Sequence, residues 1–481
     1  MCVVGGGFGG LYTALRLDEL VWPNGAKPRV TLVDRSERFV FKPLLYELLN
    51  SGAEEWQVAP RFDELLAPTG VEYVRGAVRA VDYESDADAA GRAGAVTVSA
   101  AGDGGEEEIP YDWLVVATGA VSRLEGVEGA KELAMPFGTL EDARAVRARL
   151  EALEARTAGG GAKPTVVVVG GGYAGVELAV TVAERMGPGG ALVRLVDGND
   201  EIMKGAADGQ REAAKSALNS TGVVCQLGGY VDSLEKAAAP EGAEDDAKVI
   251  ITVGGEPIEA DAVLWTVGMV PATTGEGGVH AEVSTDGAEA DADAEAGDKA
   301  HPHPFPFPLN SRNMIEADAT LRVPGFSRVF AVGDVASADV ASATSSADAP
   351  LSATAQVAFQ QADYAAWNLW AAINGRQLLP FRYQHLGEMM SLGKTSGALS
   401  SDGLGLLPEK LTLDGLVGGA ARRAAYLYRM PTNEHRAKVA VSWAADPLAG
   451  LLDMAKDRGA PMAGELAKAV RAGADAARKS L

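Results

Sequence analysis

The chain has 481 residues and 66 acidic side chains against 43 Lys and Arg, for a formal net charge of −23, which argues against a nucleic-acid partner. Its two cysteines, Cys2 and Cys225, form no CxxC spacing, which excludes a disulfide scaffold and a redox dithiol. No apolar run is long enough to span a bilayer, and the length suits two or three domains.

The chain opens on Val3-Val4-Gly5-Gly6-Gly7-Phe8-Gly9-Gly10, a β-branched strand running into a glycine loop. Leu11, Ala14, Leu15 and Leu17 predict an amphipathic helix, and the next strand, from Val30, ends on Asp34. In a chain with 58 glycines a bare GxGxxG is weak; strand, helix and terminal acid together make a βαβ dinucleotide unit. Gly5 permits the tight turn, Gly7 lets the backbone approach a pyrophosphate, and Gly10 allows close helix–strand packing. The helix N-terminus presents partial positive charge to phosphate, and Asp34 reaches an adenosine ribose. Because Met1 stands almost inside the first strand, the start reads as truncated, and no targeting segment is visible.

Val71 to Val81 alternates as a strand, and Leu114 to Ala120 reads as a buried strand carrying Thr118 and Gly119. A charged helix (Leu140 to Ala155) and a glycine linker (Gly159 to Gly161) precede a second fingerprint. It runs from Val166 through Gly170-Gly171-Gly172-Tyr173-Ala174-Gly175, with a helix behind it and Asp197 closing the following strand. Gly170, Gly172 and Gly175 repeat the roles of Gly5, Gly7 and Gly10. Ala260 to Gly268 repeats the phrase that ends in Thr118-Gly119, so two homologous modules are expected. Two such loops imply two dinucleotides face to face, as in a flavoprotein that reads a nicotinamide. Asp197 should repel a 2′-phosphate and favour NADH over NADPH. Glu177 falls in the first turn of the second helix, where complementing the helix dipole competes with a role at the nicotinamide.

Ala281 to Asn313 is an Ala/Asp/Glu tract followed by a His-Pro-Phe run, and is expected to be a disordered insert. His301 and His303 belong to that low complexity, and no HExxH or Cys/His cluster occurs, so no metal site is expected. The strand from Arg328 ends in Gly333-Asp334, where Asp334 could hold a ribityl hydroxyl or cap a turn. Next comes Ala355-Gln356-Val357-Ala358-Phe359-Gln360-Gln361, a helix with Gln356 and Gln360 on one face. From Lys410 onward basic residues outnumber acidic ones. Leu416, Val417, Ala420, Ala424, Leu427 and Tyr428 form an apolar stripe, with Arg422, Arg423 and Arg429 placed to snorkel from a membrane-surface helix; a dimerisation or core helix competes.

These phrases in this order resemble the type II NAD(P)H:quinone oxidoreductases. The likeness rests on Phe41-Lys42-Pro43-Leu44-Leu45-Tyr46, the fingerprint ending in Val176-Glu177, and the glutamine helix. Glu37 to Pro43, Leu386 to Lys394 and Arg429 to Arg436 are similar to the C-type enzyme of chloroplasts and cyanobacteria, which reduces prenylated quinones including demethylphylloquinone. The resemblance implies an α/β fold of two Rossmann-like dinucleotide-binding domains plus a C-terminal membrane-associating region. The FAD domain would comprise residues 1–126 and 314–386 and the NAD(P)H domain 127–280; 281–313 is the insert and 387–481 the quinone-site and membrane region. FAD would lie at Gly5, Gly7, Phe8, Gly9 and Gly10 with Asp34 and Val78. Lys42, Pro43, Thr118, Gly119, Gly333 and Asp334 would border the flavin and ribityl chain, and the backbone of Ala355, Gln356 and Val357 would face the flavin's pyrimidine end. NADH or NADPH would use Gly170, Gly172, Tyr173, Gly175, Glu177 and Asp197, with Gly268 at the nicotinamide. Glu177, Gln356, Gln360 and Lys394 would carry quinone chemistry. A lipid-soluble quinone implies contact with a membrane or lipid-body surface, peripheral on thylakoid or plastoglobule, or else on a mitochondrial inner or bacterial membrane; a homodimer is compatible. The competing classes are a soluble flavin reductase of ferredoxin or ascorbate radical, and a non-catalytic NAD(P)H-binding sensor.

Overall fold

The computed structural model describes residues 1–25, 27–83, 93–100, 105–238, 248–273, 305–338, 353–393, 397–400, 412–413, 415–457 and 461–480. Two sheets organise it, one mixed and one wholly parallel. The first sheet has seven strands in the order Val329–Ala331, Leu114–Val116, Cys2–Val4, Val30–Asp34, Val71–Tyr83, Gly94–Ala100, Glu106–Tyr111. Its first five strands run parallel, with Val3 opposite both Leu32 and Val115, and the last three form an antiparallel meander. Short, fully buried β-branched strands are what a sheet covered on both faces requires.

The second sheet has five parallel strands: Val224–Leu227, Leu192–Asp197, Thr165–Val169, Ala262–Trp265 and Met135–Pro136. The valine run of Thr165–Val169 sits at its centre. Ahead of it lies the helix Leu140–Ala158, which starts on a capping box between Thr139 and Asp142.

The strand expected to continue to Ala120 stops at Val116. Gly119 turns with φ +72°, and Ala120–Ser122 pairs antiparallel with Met269–Pro271. The two segments that cross between the modules therefore bind each other: Ala272 N–H donates to the Gly119 carbonyl (2.9 Å), and Arg123 N–H to that of Gly268 (3.1 Å).

The expected insert divides in two. Residues 281–304 lie outside the described residues, but its Phe-Pro end does not behave as disordered. Phe305 and Phe307 are 1% and 3% exposed, stack on one another, and join the core beneath the first sheet. Prolines that block regular structure still leave aromatic rings free to pack.

At the C-terminus, helix Gly415–Arg429 lies against strand Gly397–Ser400. Helices Asn433–Asp457 and Pro461–Ser480 pair with each other. The pair is fastened to the first module at both ends. Gln57 Nε2 donates to Ser442 (2.8 Å), His435 Nε2 meets the Gln57 carbonyl (3.1 Å), and Arg478 lies over the Trp56 ring. Burial lowers the His435 imidazole to about 4, so it is neutral in this contact. No helix among the described residues is long and apolar enough to cross a membrane.

Candidate active site

Each sheet ends in a glycine cradle. Gly5 has φ +98° and tolerates no side chain: a β-carbon there would stand 2.3 Å from the Ala117 carbonyl oxygen. A β-carbon on Gly10 would lie 1.7 Å from the Gly5 oxygen, so helix Phe8–Glu19 meets the strand only as glycine. Gly7 faces open space, with nothing within 4 Å of such a carbon. The second cradle repeats this at Gly170 (φ +114°), Gly175 (1.7 Å from the Gly170 oxygen) and Gly172, which is again open. Packing explains the outer glycines; the middle ones are free for a ligand backbone contact.

The acids close the cradles. Asp34 accepts Gly6 N–H (2.6 Å) and Ser36 N–H (2.7 Å); burial pushes its carboxyl up while these amides draw it down. Asp197 accepts Gly171 N–H (2.5 Å) and both the backbone and side-chain N–H groups of Asn199 (2.7 Å each). Phe8 is buried edge-on to Phe39 and Phe41, and Gly9 lies against Val332. The Val78 side chain is committed to the core with Val4 and Val33.

Around the first cradle's far end, Lys42 and Pro43 open a short 3₁₀ helix, Lys42–Leu48. Burial pushes the Asp334 carboxyl up, and the Lys42 charge only partly draws it back down. Gly333, at φ +76°, donates its N–H to Gln361 Oε1 (2.7 Å), a buried side chain the sequence reading passed over. Helix Ala355–Ile373 begins there, with Thr354 capping the Val357 amide. The Thr118 hydroxyl is buried with no hydrogen-bond partner among the described residues. Open cradles, an orphaned hydroxyl and a helix N-terminus are the donor set that a phosphate-bearing, hydroxyl-rich dinucleotide satisfies.

Glu177 is not a solvent-facing dipole complement. It is 8% exposed and accepts the Ser391 amide at 2.6 Å. Burial pushes its carboxyl up to about 7, against the Ser391 amide, the Arg422 charge and the Tyr46 hydroxyl, which lower it. Beside it lies a buried ion pair, Arg422 Nη2 to Glu47 Oε1 at 2.8 Å, joined by Arg423 at 3.2 Å. The expectation that Arg422, Arg423 and Arg429 snorkel is thereby corrected. Arg422 neutralises an acid set in the apolar run Leu44 to Leu49, Arg423 stacks on Trp443, and Arg429 lies 4.1 Å over Phe359. The clue was legible: an acid inside an apolar run demands a partner. Of the apolar stripe, Val417, Ala420, Ala424 and Tyr428 are exposed, Val417 by 66% and Tyr428 by 68%, whereas Leu427 is partly buried against the core.

Gln356 and Gln360 share a face and grip one segment. Gln356 Nε2 donates to Gly387 O (3.1 Å) while its Oε1 accepts Leu386 N–H and Tyr383 O–H; Gln360 exchanges two hydrogen bonds with Gln384 (2.8 and 2.9 Å). That segment leads into strand Glu388–Ser391, where Tyr173 O–H meets Glu388 and Ser391 meets Glu177. Glutamine helix, second fingerprint and Glu177 thus converge on residues 383–391. Lys394 lies outside the described residues. Cys2 is buried in the first sheet with its thiol pushed up to about 12, and Cys225 is exposed in the second sheet.

Residues 1–300 match the model of the pyridine nucleotide-disulphide oxidoreductase family. The chain is 46% identical over 451 residues to the alternative NAD(P)H-ubiquinone oxidoreductase C1, chloroplastic/mitochondrial, of Arabidopsis thaliana, covering 92% of this chain and 80% of that one. It is 36% identical over 448 residues to the demethylphylloquinone reductase NdbB of Synechocystis, covering 93% and 96%. Among solved structures, NDH2 of Plasmodium falciparum in complex with NADH superposes with a TM-score of 0.67 at 16% identity, over 90% of this chain and 95% of that one.

Proposed function

The chain belongs to the type II NAD(P)H:quinone oxidoreductases, and from that premise we propose how its residues divide the work. The enzyme transfers electrons from NAD(P)H to a quinone through FAD, without pumping protons. When bound, FAD supplies the redox chemistry, taking the nicotinamide hydride and returning the electron pair. The first cradle, with Asp34, Lys42, Thr118 and Asp334, holds FAD; the second, with Asp197, holds the nicotinamide dinucleotide. The openness of Gly7 and Gly172 among otherwise tightly packed glycines supports two dinucleotide sites, and the orphaned Thr118 hydroxyl with the Lys42–Asp334 pair beside the first is the observation that carries its assignment to FAD.

Glu177 stands where the two modules meet strand Glu388–Ser391, and exchanges a proton as quinone becomes quinol. Near neutrality it can give or take one. Gln356 and Gln360 act as positioning residues that hold the 383–387 segment against the site. The acceptor is a prenylated quinone, in keeping with the reaction named for the Synechocystis relative. The outward stripe of Val417, Ala420, Ala424 and Tyr428 rests on an organellar membrane or lipid-body surface, thylakoid or plastoglobule, with the arginines turned inward. Disulfide chemistry finds no support, because Cys2 and Cys225 belong to different sheets.

The test is anaerobic reduction of the flavin by NADH, followed by a panel of plastoquinone, phylloquinone-precursor and ubiquinone analogues. Bleaching and recovery with a naphthoquinone or benzoquinone are expected. Bleaching without recovery by any quinone would remove the quinone assignment.

A further inference from the structure

We propose that Tyr230 is the platform on which the adenine of the nicotinamide dinucleotide stacks. Tyr230 is 74% exposed, although an aromatic ring of that size is ordinarily a favourable thing to bury. Its position is set rather than loose. Gly254 N–H donates to its carbonyl (2.9 Å), and the two residues before it are tied back to the end of strand Leu192–Asp197. Gly228 N–H donates to Asn199 O at 3.0 Å, and Gly229 N–H to Asp197 O at 3.3 Å.

One side of the ring rests on Gly198, where a β-carbon would stand 2.4 Å from the ring edge. Gly198 directly follows Asp197, whose carboxylate reaches back to Gly171 in the fingerprint. The order along the surface is therefore open glycine, acid, aromatic ring. That is the order of pyrophosphate, ribose and base in an extended dinucleotide. Any side chain at 198 would displace the ring, so the glycine serves the tyrosine's placement. Base–aromatic stacking is tolerant of geometry and needs a solvent-accessible π-face beside a fixed sugar site, which this arrangement supplies.

The inference rests on the assignment of the second cradle to the nicotinamide dinucleotide, and the experiment separates the two. Calorimetry on the FAD-loaded protein would measure Kd for NAD⁺ and ADP-ribose in Tyr230→Ala and Tyr230→Phe, with KM for reduced nicotinamide mononucleotide, which lacks adenine, beside them. Tyr230→Ala should weaken both adenine-bearing ligands by about tenfold. Tyr230→Phe should hold within about twofold of the parent, and the mononucleotide KM should move less than about twofold. No change for ADP-ribose, or an equal loss for the mononucleotide, would overturn the role of Tyr230. A Gly172→Val protein that binds NAD⁺ as the parent does would instead overturn the assignment of the cradle itself, and the inference with it.

Discussion

Ser391 donates its backbone N–H to the Glu177 carboxylate at 2.6 Å, joining the second fingerprint helix to a strand more than two hundred residues later in the chain. The contact buries an acid whose carboxyl stands at about 7. An ordinary glutamate ionises near ~4.3, so the folded state holds a proton there that the unfolded chain has released. The stabilisation this gives is complete below ~4.3 and is lost as pH rises through about 7. Glu177→Gln should flatten that decline, gaining stability relative to the parent at pH 8 more than at pH 5, while quinone reduction slows. Thermal melts across the two pH values check it, and identical pH dependence in both proteins would contradict the burial.

The Glu47–Arg422 pair makes a second prediction. Removing one partner strands a buried charge, so Arg422→Met should cost about 3–5 kcal/mol. Replacing both residues by apolar ones should recover most of that loss. Denaturant titrations of the two single variants and the double variant give the coupling.

The glycines separate packing from binding. Gly175→Ala places a carbon 1.7 Å from the Gly170 oxygen and should cost on the order of 3 kcal/mol or more. Gly172→Ala meets nothing within 4 Å, and should leave stability within about 0.5 kcal/mol while weakening NAD(P)H binding. Melting temperature and Kd, read together, decide it.

Asp197 is followed by Asp200 and Glu201, with no Lys or Arg before Lys204. This acidic turn should favour NADH. Asp197→Ser should raise kcat/KM for NADPH relative to NADH, and a parent enzyme already faster with NADPH would contradict the reading.

Membrane association should reside in the outward stripe. Deleting everything after Gly415 would also take Arg422 from Glu47, so point changes are the cleaner probe. Val417→Asp with Tyr428→Asp should abolish flotation with anionic liposomes and leave flavin content intact. Undiminished flotation would place the contact elsewhere.

Much of this molecule was legible in its sequence, because local chemistry reports local geometry. Glycine loops, the acids closing each βαβ unit and the valine strands all sit as their spacing predicts. What escaped depends on partners distant in the chain. Arg422 read as a surface cation because its partner, Glu47, lies 375 positions away. Glu177 read equally well as a dipole complement until Ser391 covered it. Phe305 and Phe307 were hidden among prolines that signal disorder, although their rings had a core to enter. The anchoring of His435 and Ser442 to Gln57 left no periodic trace at all.

The paired crossing strands, Ala120–Ser122 and Met269–Pro271, make the enzyme a braced frame rather than a jaw. Swinging one module against the other would shear the Ala272–Gly119 and Arg123–Gly268 hydrogen bonds together. These bonds therefore oppose a change in the spacing of the two glycine cradles.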